Sequence, residues 1–581
     1  MPTIELAFEK CQVKAIIGLS ADNEEGKPAT ITLKIAGGVT LPKDIVLDNV
    51  DVLFEDTPRT GKTHTITATL TSEFGSQSAK PSDQLLCASA STSNFLLMPT
   101  RGLDFADEAN NTASVRMFAT GLRPWQPIGN NDDNALVESQ VVASPNETGV
   151  KLVALSPDAV VNLRAQQPGL RIVPEVFYKP QRFMPMLQQG IQVLGTVMPT
   201  TNVRLNVMDK TTGKPIADVY VVAFTDFKNG VGADGRTDAN GQVILKKLGG
   251  RAVEQLFIYP TQNYWSFWQK EVRLADGDEV KLQPIKLPFT DGKRFFYPDS
   301  DDAFGAGVRV GVIDSGVGPH PDLVIAGGSC TVPNDTPTDF ADIEQHGTHV
   351  AGLIAARGSA PTGMRGVAPG AELFAYRVFW KGAEAASNFA IVKAIEQAVK
   401  DRCDLINMSL GGGDADDALE KAIIHAYQNG TVVLVATGND GRQKVSFPAS
   451  FSLALAVSAL GRRGTFPSNT TDRPNITSPF GTDPKNFVAA FSNIGSEVDL
   501  VAPGVGVLST VPGNGYAAMS GTSMACPVAT GLSARLLATR PDLLAMPRDS
   551  NRTEAIIRFI CSQAKTFGFG PIFEGLGGIF P

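Results

Sequence analysis

At 581 residues, with 43% hydrophobic and 19% charged side chains and a formal net charge of -8, the chain is too long for one ordinary core and has a globular, multidomain composition. The acidic balance argues against a general nucleic-acid surface, which needs a basic face. No apolar run reaches the length of a membrane helix; "FSLALAVSAL" at 451–460 is too short and reads as core.

The first twenty residues lack a basic start followed by a long apolar block, so they do not read as a signal peptide. A cytoplasmic address is the expectation, with export by another route left open. The six cysteines, Cys11, Cys87, Cys330, Cys403, Cys526 and Cys561, show no metal-type spacing and read as isolated buried thiols of a reducing compartment.

Residues 1–130 carry alternating strand-like runs, "ATITLKIAGGVTL" among them, separated by turns. They predict a β-rich domain whose role is not legible. "TGKT" at 60–63 lacks the upstream glycine of a phosphate loop and reads as a turn. Residues 135–185 change texture. "GVKLVALS" predicts a strand, and "SPDAVVNLRAQQPG" a helix with Ser156 as N-cap and Pro157 at its first position. "LRIVPEVFYKP" predicts a second strand, completing a small α+β unit.

Residues 195–288 return to period-two alternation around glycine-rich turns and predict a small β-sandwich. Its "DGRTDANG" reads as a hairpin turn in preference to a calcium loop, since the full EF-hand spacing is missing. From 290 to 581, unalternated apolar strands ("VRVGVID", "CDLINMSL", "GTVVLVATG") alternate with helical stretches. That pattern predicts an α/β domain with a mostly parallel sheet.

Four residues of this last region stand out. Asp314 ends a buried strand, where open α/β sheets place functional groups, although an acid there also caps loops. His346 starts the helix of "HGTHVAG". A metal reading of "HGTH" fails because the pattern lacks the glutamate of a zincin, and His349 reads as a packed helix histidine. Asn439 follows a buried strand in "VATGNDG"; it is either a turn residue or a donor to a developing oxyanion. Ser523 opens the helix of "SGTSMACPVATG", where the local dipole favours nearby negative charge. Pro527 falls in the early turns of that helix, where its cost is reduced.

The order Asp, His, Asn, Ser on a parallel α/β sheet is specific, and here the sequence resembles the subtilisin-like serine protease family. The resemblance covers about 300–581 and rests on "VIDSGV", "HGTHVAG", "INMSLGG", "ATGNDG", "FPAS", "DLVAPG", "GTSMA" and the closing "GLGGI". It implies that Asp314 orients the imidazole, His346 is the general base and then the general acid, and Ser523 is the nucleophile. It implies that Asn439 and the Ser523 N–H hold the oxyanion. Ser409, Leu410, Gly411 and Gly412 would form the edge strand for protein or peptide substrates. Val435, Ala436, Thr437 and Gly438 would line part of the first specificity pocket.

The chemistry so implied needs no cofactor. Relatives often carry structural calcium; Asp299, Asp301 and Asp302 of "PDSDDA" are the weak candidates for it. Val528 departs from the family, which has histidine after the helix proline. The stretch 461–487 is longer than in simple members and reads as a surface insertion, facing substrate or not. Cys526 reads as a packed residue. The 135–185 unit resembles the family's inhibitory propeptide, and the 195–288 region carboxypeptidase-regulatory or transthyretin-like modules. Self-cleavage within about 177–194 is therefore an expectation. A catalytically inactive binding protein and an acyl-transfer ligase are the alternative readings.

Overall fold

A computed structural model of the chain describes 201–298 and 301–580 without a break, 149–166 and 170–183, and shorter stretches elsewhere. These are chiefly strands between Thr3 and Pro99, with 102–103, 139–144 and 192–193. The "TGKT" turn, Cys11, Cys87, Asp299 and most of 184–200 lie outside the described residues. The chain divides into two compact units, Met1–Pro174 and Glu175–Pro581.

In the first unit, Thr3–Glu9 pairs antiparallel with Gln12–Gly18 and parallel with Ala29–Ala36, and Ile45–Leu47 completes the sheet. A second, antiparallel sheet has the order Ser139–Ala143, Lys151–Leu155, Ser93–Pro99, Leu170–Pro174. The helix Pro157–Gln166 packs on it through Ala159 and Val160, against Leu97, Val153, Leu155 and Ile172. Ser156 caps that helix: its Oγ accepts the Ala159 N–H at 3.1 Å, satisfying one of the free donors of the first turn.

Two boundaries differ from the sequence reading. The α+β unit takes an inner strand from Ser93–Pro99, well upstream of 135. The apolar pattern marks "NFLLMP" as a strand but cannot name its partners. "LRIVPEVFYKP" is two strands, not one. Leu170–Pro174 ends in the first unit, and Phe177–Pro180 belongs to the second. Pro174 has no N–H to continue a ladder, so the break falls where pairing must stop.

In the second unit, two sheets face each other over 201–283. One has the order Gln192–Val193, Val231–Arg236, Tyr220–Asp226, Ala252–Tyr259, Phe267–Arg273; the other Gln242–Leu245, Val203–Asp209, Asp278–Leu282. Leu205, Val207, Val221, Val243 and Leu256 fill the space between them. "DGRTDANG" is a turn closed by Asp238, whose Oδ1 accepts the N–H groups of Asn240 and Gln242, both at 2.9 Å.

The remainder is an α/β body. Its main sheet runs Ile325–Cys330, Glu372–Arg377, Arg309–Asp314, Leu405–Met408, Val432–Ala436, Ala454–Arg462 in parallel. Val498–Pro503 continues the parallel pairing on Ala454–Arg462, and Asn486–Val488 joins the same strand antiparallel. The helices His346–Ala355 and Thr522–Leu537 pack together across the core; every residue of the first is buried, and all of the second but Arg535. Strands so covered read as continuous apolar runs, which explains why "VRVGVID" shows no alternation.

The stretch 461–487 is less exposed than expected. Thr470, Asp472 and Asn475 are buried, because Asp472 accepts from the hydroxyls of Thr470 and Ser520. Of the acidic cluster, Asp299 lies outside the described residues. Asp301 caps the Ala303 N–H, Asp302 pairs with Arg365, and no group of three or more acidic, histidine or cysteine ligands occurs among the described residues.

Candidate active site

The ends of the parallel strands bring Asp314, His346, Asn439 and Ser523 together. Asp314 closes its strand, and its Oδ1 accepts the Ser315 N–H at 2.7 Å and the His346 Nδ1 proton at 2.7 Å. That bond sets the tautomer, leaving Nε2 as the basic atom. His346 is 3% exposed and its Nε2 has no hydrogen-bond partner among the described residues. His349, one turn on, faces away: its Nε2 bonds the Ala517 carbonyl at 3.1 Å, and burial lowers its pKa to about 3. It is a strut between helix and hairpin, in keeping with the packed role read from the sequence.

Ser523 sits in the first turn of Thr522–Leu537. Pro527 lacks the N–H that would bond the Ser523 carbonyl four residues back. The Ser409 hydroxyl supplies that bond instead, donating to the Ser523 carbonyl at 3.0 Å. The Ser523 hydroxyl in turn donates to the Ser409 carbonyl at 2.9 Å. The two serines thus lock the Ser523 turn onto the strand end after Leu405–Met408. Val528, where the family pattern has histidine, is fully buried in the core. Cys526 is likewise buried, and desolvation pushes its thiol pKa up, so it stays protonated and inert.

Asn439 is oriented by Thr522. Its Oδ1 accepts the Thr522 N–H at 2.9 Å and the Thr522 hydroxyl at 3.0 Å, which turns the amide NH2 toward the cleft. There it meets the segment 177–183 of the same chain. Asn439 Nδ2 donates to the Gln181 carbonyl at 2.5 Å, and the Ser523 N–H donates to the same oxygen at 3.1 Å.

The rest of this segment lies in the cleft as an added strand. Lys179 and Pro180 pair with Gly411 and Leu410, and Phe177 and Tyr178 with Ser387 and Ala386, both antiparallel. The Gln181 N–H donates to the Ser409 carbonyl at 2.9 Å, and the Phe183 N–H to the Ser520 carbonyl at 2.8 Å. Ser409, Leu410 and Gly411 are thus the residues this segment pairs with. Gly412 bonds back to Phe447 and makes no ladder pair with the segment. Two glycines allow the approach. A Cβ on Gly411 would lie 3.3 Å from Gln181 Nε2, and one on Gly521 (φ +150°) 2.4 Å from the Gln181 carbonyl oxygen.

Val435, Ala436, Thr437 and Gly438 are buried below the cleft. The Gly438 N–H donates to the Thr522 hydroxyl at 3.2 Å, tying this wall to the serine turn. On the other flank Tyr178 is fully buried; its hydroxyl lies 3.4 Å from the Asp414 carbonyl. Burial raises its pKa and Asp416 adds to the rise. Gln181 and Tyr178 were not singled out by sequence reasoning. "GTS" carried the signal for Thr522, but only the fold shows that its partner is Asn439.

A model of the subtilase family matches 305–566. M-protease of Shouchella clausii is 39% identical over 300 residues, covering 52% of this chain and 70% of that protein. Subtilisin BL and Subtilisin Savinase, both of Lederbergia lenta, are each 39% identical over 41% of this chain and 78% of their own length. The chain belongs to the subtilase family. It is a subtilisin-like serine endopeptidase, a hydrolase of peptide bonds, and its substrates are proteins or peptides. Among the described residues no helix of this subtilase is long and apolar enough to cross a membrane.

Proposed function

We propose that this subtilase cleaves through an Asp314–His346–Ser523 triad and an acyl-enzyme, and that its first substrate is its own Gln181–Arg182 bond. The observation that carries the reading is the Gln181 carbonyl oxygen, held by Asn439 Nδ2 and the Ser523 N–H together. Ser523 Oγ turns from the Ser409 carbonyl, attacks the Gln181 carbonyl carbon and passes its proton to His346 Nε2. Asp314 stabilises the imidazolium that results. The oxyanion keeps the two donors that already hold the carbonyl. The Gln181–Arg182 bond then breaks, and His346 gives its proton to the Arg182 amine. Water, deprotonated by the same imidazole, releases the Gln181 carboxylate and regenerates Ser523.

In this reading the 135–185 stretch works as a propeptide whose tail, 175–181, fills the cleft, and the new carboxylate stays a competitor for substrate. A fluorophosphonate probe tests the triad. Labelling of the purified wild-type chain that is lost in Ser523→Ala, with casein hydrolysis lost in parallel, is the expected result. Labelling that persists in Ser523→Ala would remove Ser523 from its role.

A further inference from the structure

Beyond the proposed scissile bond the strand in the cleft meets the carbonyl of Ser520, which accepts the Phe183 N–H at 2.8 Å. Ser520 lies between the strand Gly515–Met519 and the helix Thr522–Leu537 and belongs to neither. The next residue, Gly521, has no Cβ and a φ of +150°, so the peptide plane that carries the Ser520 carbonyl has little hold of its own. It is held from outside. On the same plane the Gly521 N–H donates to the Gly504 carbonyl at 2.9 Å. At the side chain, Ser520 Oγ accepts the Gly506 N–H at 2.8 Å and donates to Asp472 Oδ1.

Asp472 is buried, where a carboxyl group persists only with donors around it. Its other oxygen accepts the Thr470 hydroxyl at 2.7 Å. Its segment is braced in turn by the β-sandwich, which the subtilase match at 305–566 does not include. Ser266 Oγ lies 2.8 Å from Thr471 Oγ1 and accepts the Thr471 N–H at 3.3 Å. The Trp268 N–H donates to the Asn469 carbonyl at 2.8 Å. The sandwich also grips the strand that leads into Ser520. The Asn263 N–H donates to the Tyr516 carbonyl at 2.6 Å, and Asn263 Oδ1 accepts the Tyr516 N–H at 3.0 Å. The Phe183 ring is held apart from this row of bonds, stacked on Phe491 with ring centroids 4.5 Å apart. The row therefore acts on the Phe183 N–H and not on its side chain.

We propose that Asp472 is a positioning residue for cleavage: through the Ser520 hydroxyl it fixes the carbonyl that takes the N–H of the second residue beyond the cut, and the β-sandwich braces it there. The sandwich thereby becomes part of the protease's hold on the leaving side of its substrate. The proposal rests on reading 177–183 as a bound substrate strand.

The test uses the purified full-length enzyme and two internally quenched peptides. Both carry tyrosine, lysine, proline and glutamine before the cut, then arginine and phenylalanine. In the second, an ester replaces the amide between arginine and phenylalanine and so removes the N–H that Ser520 takes; product masses identify the cut. In wild type the amide peptide is expected to give a kcat/KM about tenfold above the ester, the worth of one hydrogen bond. In Asp472→Ala and in Ser520→Ala that ratio should fall to about two, because the carbonyl no longer stays aimed at the N–H. A merely structural loss would lower both peptides and leave the ratio. Asp472→Asn retains an acceptor for the Ser520 hydroxyl and should keep most of the ratio. A wild-type ratio in Asp472→Ala, or in Ser520→Ala should the first variant not fold, would overturn the role of Asp472 and leave the substrate-strand reading standing. So would equal rates for both peptides in the wild type with the cut after glutamine. Hydrolysis of casein with no cut after glutamine in either peptide would overturn the substrate-strand reading, and the role of Asp472 with it.

Discussion

Asn439 has an amide with both ends occupied: its oxygen by Thr522 and its nitrogen by the Gln181 carbonyl. Because one end fixes the other, Asn439→Leu should lower kcat by about 100- to 1000-fold with little change in KM, the loss expected for one oxyanion donor. Steady-state kinetics on a peptide substrate would show it; an equal loss shared by kcat and KM would point to misfolding of the cleft instead. His349 gives a prediction of a different kind. It is buried neutral with a pKa of about 3 against an ordinary 6.5. The unfolded chain therefore binds the extra proton between those values, and stability falls as pH drops through that window. Above pH 6.5 both states are neutral and the group gives no slope. In a Ser523→Ala background, His349→Leu should be less stable at pH 7 but lose less Tm than its parent between pH 6.5 and 4. These roles were unequally legible. Asp314, His346, Asn439 and Ser523, whose roles are proposed, each lie in a short glycine-flanked motif that marks them in local sequence. Thr522 bonding Asn439, and the Gln181 carbonyl held by Asn439, join positions far apart in the chain, where only the fold makes neighbours.

The helix Thr522–Leu537 carries its proline at a position where the missing N–H frees the carbonyl of Ser523, the proposed nucleophile. Ser409 takes up that carbonyl, so the strand end and the helix start are coupled through one hydroxyl. Ser409→Ala should leave the buried carbonyl unpaired and cost about 1–3 kcal/mol. In Pro527→Ala the helix N–H returns, and the added cost of Ser409→Ala should shrink. A double-mutant cycle by chemical denaturation in the Ser523→Ala background would measure that coupling; strict additivity would contradict it. The sequence showed the proline and its place in an early turn. It could not show the partner, which lies 114 positions away in the chain. The strand Phe177–Pro180 teaches a related point. Its apolar pattern continues that of Leu170–Pro174, so periodicity alone merged the two, and only the pairing partners separate them.

Across the second unit, the sandwich and the catalytic body share buried contacts. Trp265 is 1% exposed and belongs to the main catalytic core, edge-on to Phe289 with centroids 5.1 Å apart. Asp291 joins the same seam, accepting the Leu508 N–H at 2.8 Å. Trp265→Ala should cost about 3–5 kcal/mol and should lower the unfolding of sandwich and catalytic body together. Calorimetry in the Ser523→Ala background would show one shifted transition; a separate transition for the sandwich would contradict a shared core. The α/β class was legible from strand patterns, because its unbroken apolar runs leave a trace unlike the period two of the sandwich strands. Their joining was not, since it depends on single residues such as Trp265 and Asn263. The same limit applied to the cleft, where the sequence suggested a cut within a broad window and the proposed cut is at one bond, chosen from the placement of one carbonyl. The most direct measurement is intact mass and N-terminal sequencing of wild type and Ser523→Ala, expressed and purified alike. The account predicts a wild-type fragment beginning at Arg182 and an uncut Ser523→Ala chain. A wild-type chain that stays whole, or the same new terminus in both proteins, would contradict it.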